Sequence, residues 1–208
     1  MRLFKWLIAS VVVLTALTSC GSPSSSDGKA LAARAWQAWE GDWHAVWEIE
    51  WAGAPVRDSL IAEVWHTADD RLRIETLEAP TAALSGLTLV DNGATTRLYD
   101  LRQDQAETGP DDLVRIPLAS DTLDAIDWLL LNIDDASTVT VSGHDTLESG
   151  PVTRLDITLD AGDRAALWVH DETGLPARVE LCSAVWGKLI VSARSLDTSQ
   201  DQRPALTR

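Results

Sequence analysis

His44-Ala45-Val46-Trp47-Glu48-Ile49-Glu50-Trp51 admits two regular structures, and the choice between them decides the fold. Tryptophans at 39, 43, 47 and 51 recur every fourth residue, as on one side of a long helix. Yet Ala45, Trp47, Ile49 and Trp51 also alternate strictly with His44, Val46, Glu48 and Glu50. Aromatic and β-branched residues at period two describe a strand with one apolar face, and that reading prevails. The helix before it is then short. Leu31, Ala32, Ala35, Trp36 and Trp39 mark its face in an Ala-rich run of good helix propensity that starts near Lys29, and Gly41-Asp42 ends it.

Downstream, the pattern is of antiparallel strands. Ser59–His66 and Arg71–Leu77 flank the polar turn 67–70, and Leu72 and Ile74 alternate with Arg71, Arg73 and Glu75. Leu87–Val90 and Thr95–Leu101 flank Asp91-Asn92-Gly93, whose Asn-Gly pair tolerates positive φ and favours a hairpin. Residues 102–114 read as a polar loop. A helix is expected over 121–133, capped by Ser120-Asp121, with Leu123, Ile126, Leu130 and Ile133 on one face and Trp128, Leu129 and Leu131 widening it. Strands are expected near 137–143, 151–160, 165–170, 175–181 and 187–195, with a turn at Asp171-Glu172-Thr173-Gly174. Helix, about five strands, helix, about five strands favours an α+β fold, a single domain on one curved antiparallel sheet.

The N-terminus settles the expected location. Met1–Lys5 is a short basic region, residues 6–18 are largely apolar, and Leu17-Thr18-Ser19-Cys20-Gly21 closes the segment. The run is too short for a spanning helix and resembles the signal peptide and lipobox of bacterial lipoproteins. The resemblance implies cleavage before Cys20 and lipidation of its thiol, hence an extracytoplasmic protein held on a cell membrane, or on an outer membrane where one exists. Two or more acyl chains make a durable anchor, since each buried methylene adds about 0.8 kcal/mol. The expected plan is a signal peptide at 1–19, lipidated Cys and flexible tether at 20–28, a folded domain at 29–196 and a polar tail at 197–208.

"DRLRIETLEAP" at 70–80, "GLTLVDNGATTRLYDL" at 86–101 and "WVHDETGLPARVEL" at 168–181 resemble the LolA/LolB-like superfamily of lipoprotein carriers. That superfamily includes RseB/MucB-type regulators and mycobacterial (LprG-like) lipid-binding lipoproteins. The resemblance implies an unclosed β-barrel, a half-barrel, with helices over its concave face as a lid; the lid candidates are the helices at 30–40 and 121–133. The matching motifs are turn chemistry and sheet alternation, so they speak for fold more than for function. The functional arginine of the carriers has no identifiable counterpart, and none is carried over.

Composition narrows the function classes. The chain of 208 residues carries a net charge of −15, and loss of Arg2 and Lys5 with the signal peptide would make it −17. Such a charge argues against nucleic acid as a partner. The cysteines are Cys20 and Cys182; with Cys20 lipidated, Cys182 is expected to be a buried small apolar residue. His44, His66, His144 and His170 sit singly and read as surface strand histidines, without metal spacing. No nucleophile, zincin, Walker or dinucleotide motif is present, so no enzyme and no cofactor are expected.

Tryptophan is the conspicuous residue: nine of the ten lie beyond the signal peptide, beside a single tyrosine, Tyr99. They offer large rigid apolar area either to an ordinary core or to a pocket, and both hold if core and cavity are continuous. The candidate ligand-binding set is Trp36, Trp39, Trp47, Ile49, Trp51, Leu72, Ile74, Ile126, Trp128 and Leu130. The leading expectation is a monomeric, lipid-anchored binder or carrier of hydrophobic ligands, either lipid or the acyl chains of lipoproteins. Two alternatives stand beside it: an RseB-like envelope sensor with a membrane-protein partner, and a structural lipoprotein without a cavity.

Overall fold

In the computed structural model, which describes residues 25–52, 58–110, 114–160, 162–185 and 187–198, His44–Trp51 belongs to a strand. Helix α1 (Ser25–Trp39) stops short of it, its last turn tightened by Glu40 N–H to Trp36 C=O and Gly41 N–H to Ala38 C=O. Strand β1 (Trp43–Ala52) then buries Trp43, Ala45, Trp47 and Ile49 on one face and leaves His44, Val46, Glu48 and Glu50 half-buried on the other.

Five strands follow: β2 (Asp58–His66), β3 (Leu72–Glu78), β4 (Leu87–Asp91), β5 (Thr96–Asp100) and β6 (Gln105–Gly109). Helix α2 (Ala119–Asn132) comes next, and then β7 (Thr138–Leu147), β8 (Gly150–Thr158), β9 (Arg164–His170), β10 (Pro176–Ser183) and β11 (Gly187–Asp197). All lie in one antiparallel sheet of order β6-β5-β4-β3-β2-β1-β11-β10-β9-β8-β7, curved and not closed into a barrel. Each half is a meander of neighbouring hairpins. The halves meet where β1 pairs with β11, and β6 and β7 form the two edges. Because α2 lies between β6 and β7 in the chain, it carries the backbone from one edge to the other across the concave face. At Asn92-Gly93 the hairpin forms as expected: Gly93 has φ 78, and Asn92 Oδ1 accepts from the N–H groups of Ala94 and Thr95.

Both helices press an apolar face into the concave side. Ala32, Ala35 and Trp39 of α1 and Leu123, Ile126, Leu129 and Leu130 of α2 join Ile49, Leu60, Ile74, Leu155, Leu167 and Leu189 of the sheet in one buried cluster. The convex face is covered by long charged side chains. Trp168 is buried there because Arg154 and Arg178, its direct cross-strand neighbours, lay their guanidinium groups 4.8 and 5.3 Å from its ring. Asp156 and Glu180, two positions along each strand, pair with those arginines and hold them in place.

Several expectations need correction. Helix α1 begins at Ser25, inside the segment expected to be a tether. Gly28 is buried against β7, where a Cβ would stand 2.5 Å from the Val139 carbonyl oxygen, so only glycine lets the helix seat there. Lys29 donates to the Asp134 carbonyl at 2.9 Å and Arg34 to those of Asp171 and Glu172 at 2.8 and 3.0 Å, which fixes the rest of α1. The expected loop at 102–114 contains β6, an edge strand with no buried face and therefore no apolar alternation. Helix α2 starts two residues early, so Ser120 and Asp121 lie in its first turn. From there the Asp121 carboxylate reaches back to the Leu118 N–H, and Ser120 Oγ accepts from Ile116 N–H.

Cys182 is exposed, because Val179 and Leu181 point into the core and the alternation of β10 turns residue 182 outward, between Arg164 and Lys188. His170 is buried: its Nδ1 accepts from Thr173, so its Nε2–H is the group that faces the Ser149 carbonyl at 3.1 Å. Strand β11 runs one residue into the expected tail. Residues 1–24, which include the lipobox and Cys20, lie outside the described residues, as do 199–208.

A candidate ligand cavity beneath the second helix

The two halves of the sheet are covered unequally. Helix α1 packs on β7 and β9 and touches α2, and so covers that side of the concave face. On the other side the N-terminal half of α2 faces β3, β4 and β5 without filling the space. A cavity of about 240 Å³ remains. Its apolar walls are Leu72, Leu89, Val114 and Leu123; Trp39, Trp43 and His66 form an aromatic side, and Asp70, Asp91, Asp124, Asp127 and Arg115 stand among the lining residues.

The aromatic side is a stack. Trp39 and Trp43 have ring centroids 4.6 Å apart, Trp39 and Trp47 5.5 Å apart at 3° between planes, and Trp43 and His66 5.3 Å apart at 21°. The indole N–H groups of Trp39 and Trp43 are committed. Trp43 Nε1–H donates to the Trp39 carbonyl at 2.8 Å, and Trp39 Nε1–H donates to the Asp127 carboxylate. His66 meets the Gly41 carbonyl through Nδ1 at 2.8 Å; a carbonyl can only accept, so Nδ1 carries the proton.

Asp127 is a carboxylate in the wrong solvent. Burial pushes its pKa above the ordinary value; the Trp39 hydrogen bond opposes that, nearby Asp124 adds to it and His66 eases it. Asp69, in the β2–β3 turn, is held down to about 2 by hydrogen bonds from Arg71 and Thr67. Arg115 lies 3.0 Å from Asp121 and 2.5 Å from Asp124, which raises its own pKa.

The Asp127 shift has a thermodynamic sign. Between the unfolded value of 3.8 and the raised folded value, the folded state binds more protons, so stability falls as pH rises through that window and stays at the lower level above it. Asp127→Asn, which keeps an acceptor for Trp39, should therefore raise the melting temperature at pH 7. The gain should vanish below pH 3.8, where both carboxyl forms are neutral. Calorimetry of both proteins across that range tests it.

Of the ten candidate residues, Trp39 and Leu72 line the cavity. Trp47, Ile49, Ile74, Ile126 and Leu130 lie in the buried core, and Trp36, Trp51 and Trp128 are half-buried against it. Trp51 Nε1–H also donates to Thr122 Oγ1 at 3.1 Å, which ties α2 to β1. Core and cavity are thus continuous through the tryptophan stack. Trp43, His66 and Asp127 line the cavity outside the expected set. Asp124 and Asp127, three apart beside the apolar stripe of α2, were the available signal.

No family model matches the chain, and no curated protein does. Solved structures do. MucB aligns over 87% of this chain and 62% of its own at 18% identity, with a TM-score of 0.56. LprF from Mycobacterium bovis aligns over 83% of this chain and 93% of its own at 16% identity and 0.54. An uncharacterized conserved protein from Thermus thermophilus aligns over 88% and 93% at 14% identity and 0.54.

The likeness is one of fold. The curved half-barrel with two helices, expected from the carrier resemblance, is the architecture of this chain.

Proposed function

We propose that this chain is a lipid-anchored, extracytoplasmic, non-catalytic binder that takes an apolar ligand, a lipid or the acyl chain of a lipoprotein, into the cavity beneath α2. The observation that carries this reading is the unfilled space between α2 and the β3–β5 side of the sheet, walled by Trp39, Trp43, Leu72, Leu89 and Leu123. Moving an acyl chain from a bilayer into such a site exchanges one apolar surrounding for another, so uptake and release are both accessible. Ligand pockets commonly measure about 300–1,000 Å³, and this one, at about 240 Å³, is smaller. A long chain therefore requires α2 to lift, against the Trp39–Asp127 and Trp51–Thr122 bonds. Cys20 supplies the anchor and the segment after it the reach to a membrane.

A regulatory reading also has support. MucB has been solved in a complex with MucA from Pseudomonas aeruginosa, and the present chain matches that structure at a TM-score of 0.51. On this reading a membrane protein is the partner and the cavity ligand is the signal. The chain spans 62% of the length of MucB.

Native mass spectrometry of residues 21–208 produced in a lipid-containing host tests the binder. Retained lipid at one per chain is expected, with at least a tenfold loss in Leu72→Trp, whose indole fills the cavity from its wall. An apo mass, with no uptake of added phospholipid or acylated peptide, would overturn it.

A further inference from the structure

The cavity is apolar along its walls and anionic at its rim. Asp127 is half-buried with an indole N–H as its donor, and among the described residues no cation forms an ion pair with it. Asp124, Asp70 and Asp91 line the same space. The cation there, Arg115, lies between Asp121 and Asp124, both within ion-pair distance, and His66 has given its Nδ1–H to Gly41. An acidic headgroup placed here would be stripped of water among like charges. A protonated amine would meet a partly desolvated carboxylate that no cation pairs among the described residues, and could form a charge-assisted hydrogen bond with it.

We infer that the preferred ligand carries a protonated amine on its apolar body, the ammonium set against Asp127 and the alkyl part lying along Trp43, Leu72 and Leu89. The inference rests on the binder reading above and narrows it to a chemical class. A free alkylamine and the headgroup of an aminophospholipid both supply that chemistry. They differ in that the phospholipid brings a phosphate toward Asp124 and Asp70.

The test is titration of the full chain with n-octylammonium, octanol and octanoate at pH 7, followed by tryptophan fluorescence. Octylammonium should bind about tenfold more tightly than octanol, and octanoate more weakly than either. Asp127→Asn and, separately, the exposed Asp70→Asn should narrow the gap between amine and alcohol. Dihexanoylphosphatidylethanolamine separates the sources: binding near that of octylammonium assigns the headgroup, and binding below that of octanol assigns the free amine. Equal binding of octylammonium and octanol, or tighter binding of octanoate, overturns the inference and leaves the binder standing. Failure of all three to bind overturns both.

Discussion

Trp47→Ala destabilises the folded chain by about 3–5 kcal/mol, whereas Trp47→Phe costs less than about 1.5 kcal/mol. Trp47 is 2% exposed and stacks on both Trp39 and Trp43, so alanine removes a large buried ring and leaves a void under α1. Phenylalanine keeps a ring in the stack. It also deletes an indole N–H that finds no acceptor among the described residues, and a buried unmet donor costs about 1–3 kcal/mol. Denaturant unfolding of the three proteins reads the difference directly. In a chain of this size each kcal/mol moves the melting temperature by about 2–4 °C, so alanine should lower it by roughly 6–20 °C. Equal losses for alanine and phenylalanine would mean that the indole N–H is satisfied and contributes to the stack.

A single charge on the inner face of α2 should be more damaging still. Ile126 is 1% exposed, at the centre of the surface by which α2 crosses the sheet. Ile126→Asp must bury an unpaired carboxylate or hold it protonated, and it also gives up the isoleucine contacts; a loss above about 4 kcal/mol is expected. Natural domains have only about 5–15 kcal/mol in hand, so cooperative unfolding at 37 °C should be lost or nearly so. Leu131→Asp on the same helix is the control. Leu131 is 62% exposed, and that substitution should stay within about 0.5 kcal/mol. Circular dichroism melts of both variants decide whether α2 is anchored through this face.

The same asymmetry explains what could be read from sequence. A strand with one buried face writes its period into the residues, and β1, β3 and the Asn92-Gly93 hairpin were legible for that reason. Strand β6 has no buried face, and its Gln105–Gly109 run looks like loop. Cys182 was misread by the company it keeps. Leu181 beside it is buried, but neighbours in a strand face opposite ways, and the parity set by Val179 and Leu181 already placed the thiol outside. The start of α1 escaped because Gly28 reads as tether, while its role depends on a β7 carbonyl contributed more than a hundred residues later. The cavity was legible in part. Trp39 and Leu72 carried the apolar signal, but Asp127 and His66 gain their meaning only when α2 is brought over the β2–β3 turn. A carboxylate on the flank of an amphipathic helix looks solvated until the sheet beneath it is known to be hollow.

The join between β1 and β11 sets a timetable for the polypeptide. Within each meander every strand finds its partner a turn away, so the β1–β6 ladder can assemble before the rest of the chain joins it. The central seam cannot, because His44 waits for Asp197 and Trp51 for Leu189. Until the last strand arrives, β1 has one side unpaired and its row of tryptophans has no closed core to enter. Such an intermediate offers a bare strand edge next to indole surface, the combination most prone to pairing with another molecule. The vulnerable period in the life of this protein is therefore the interval between pairing its first strand and pairing its last.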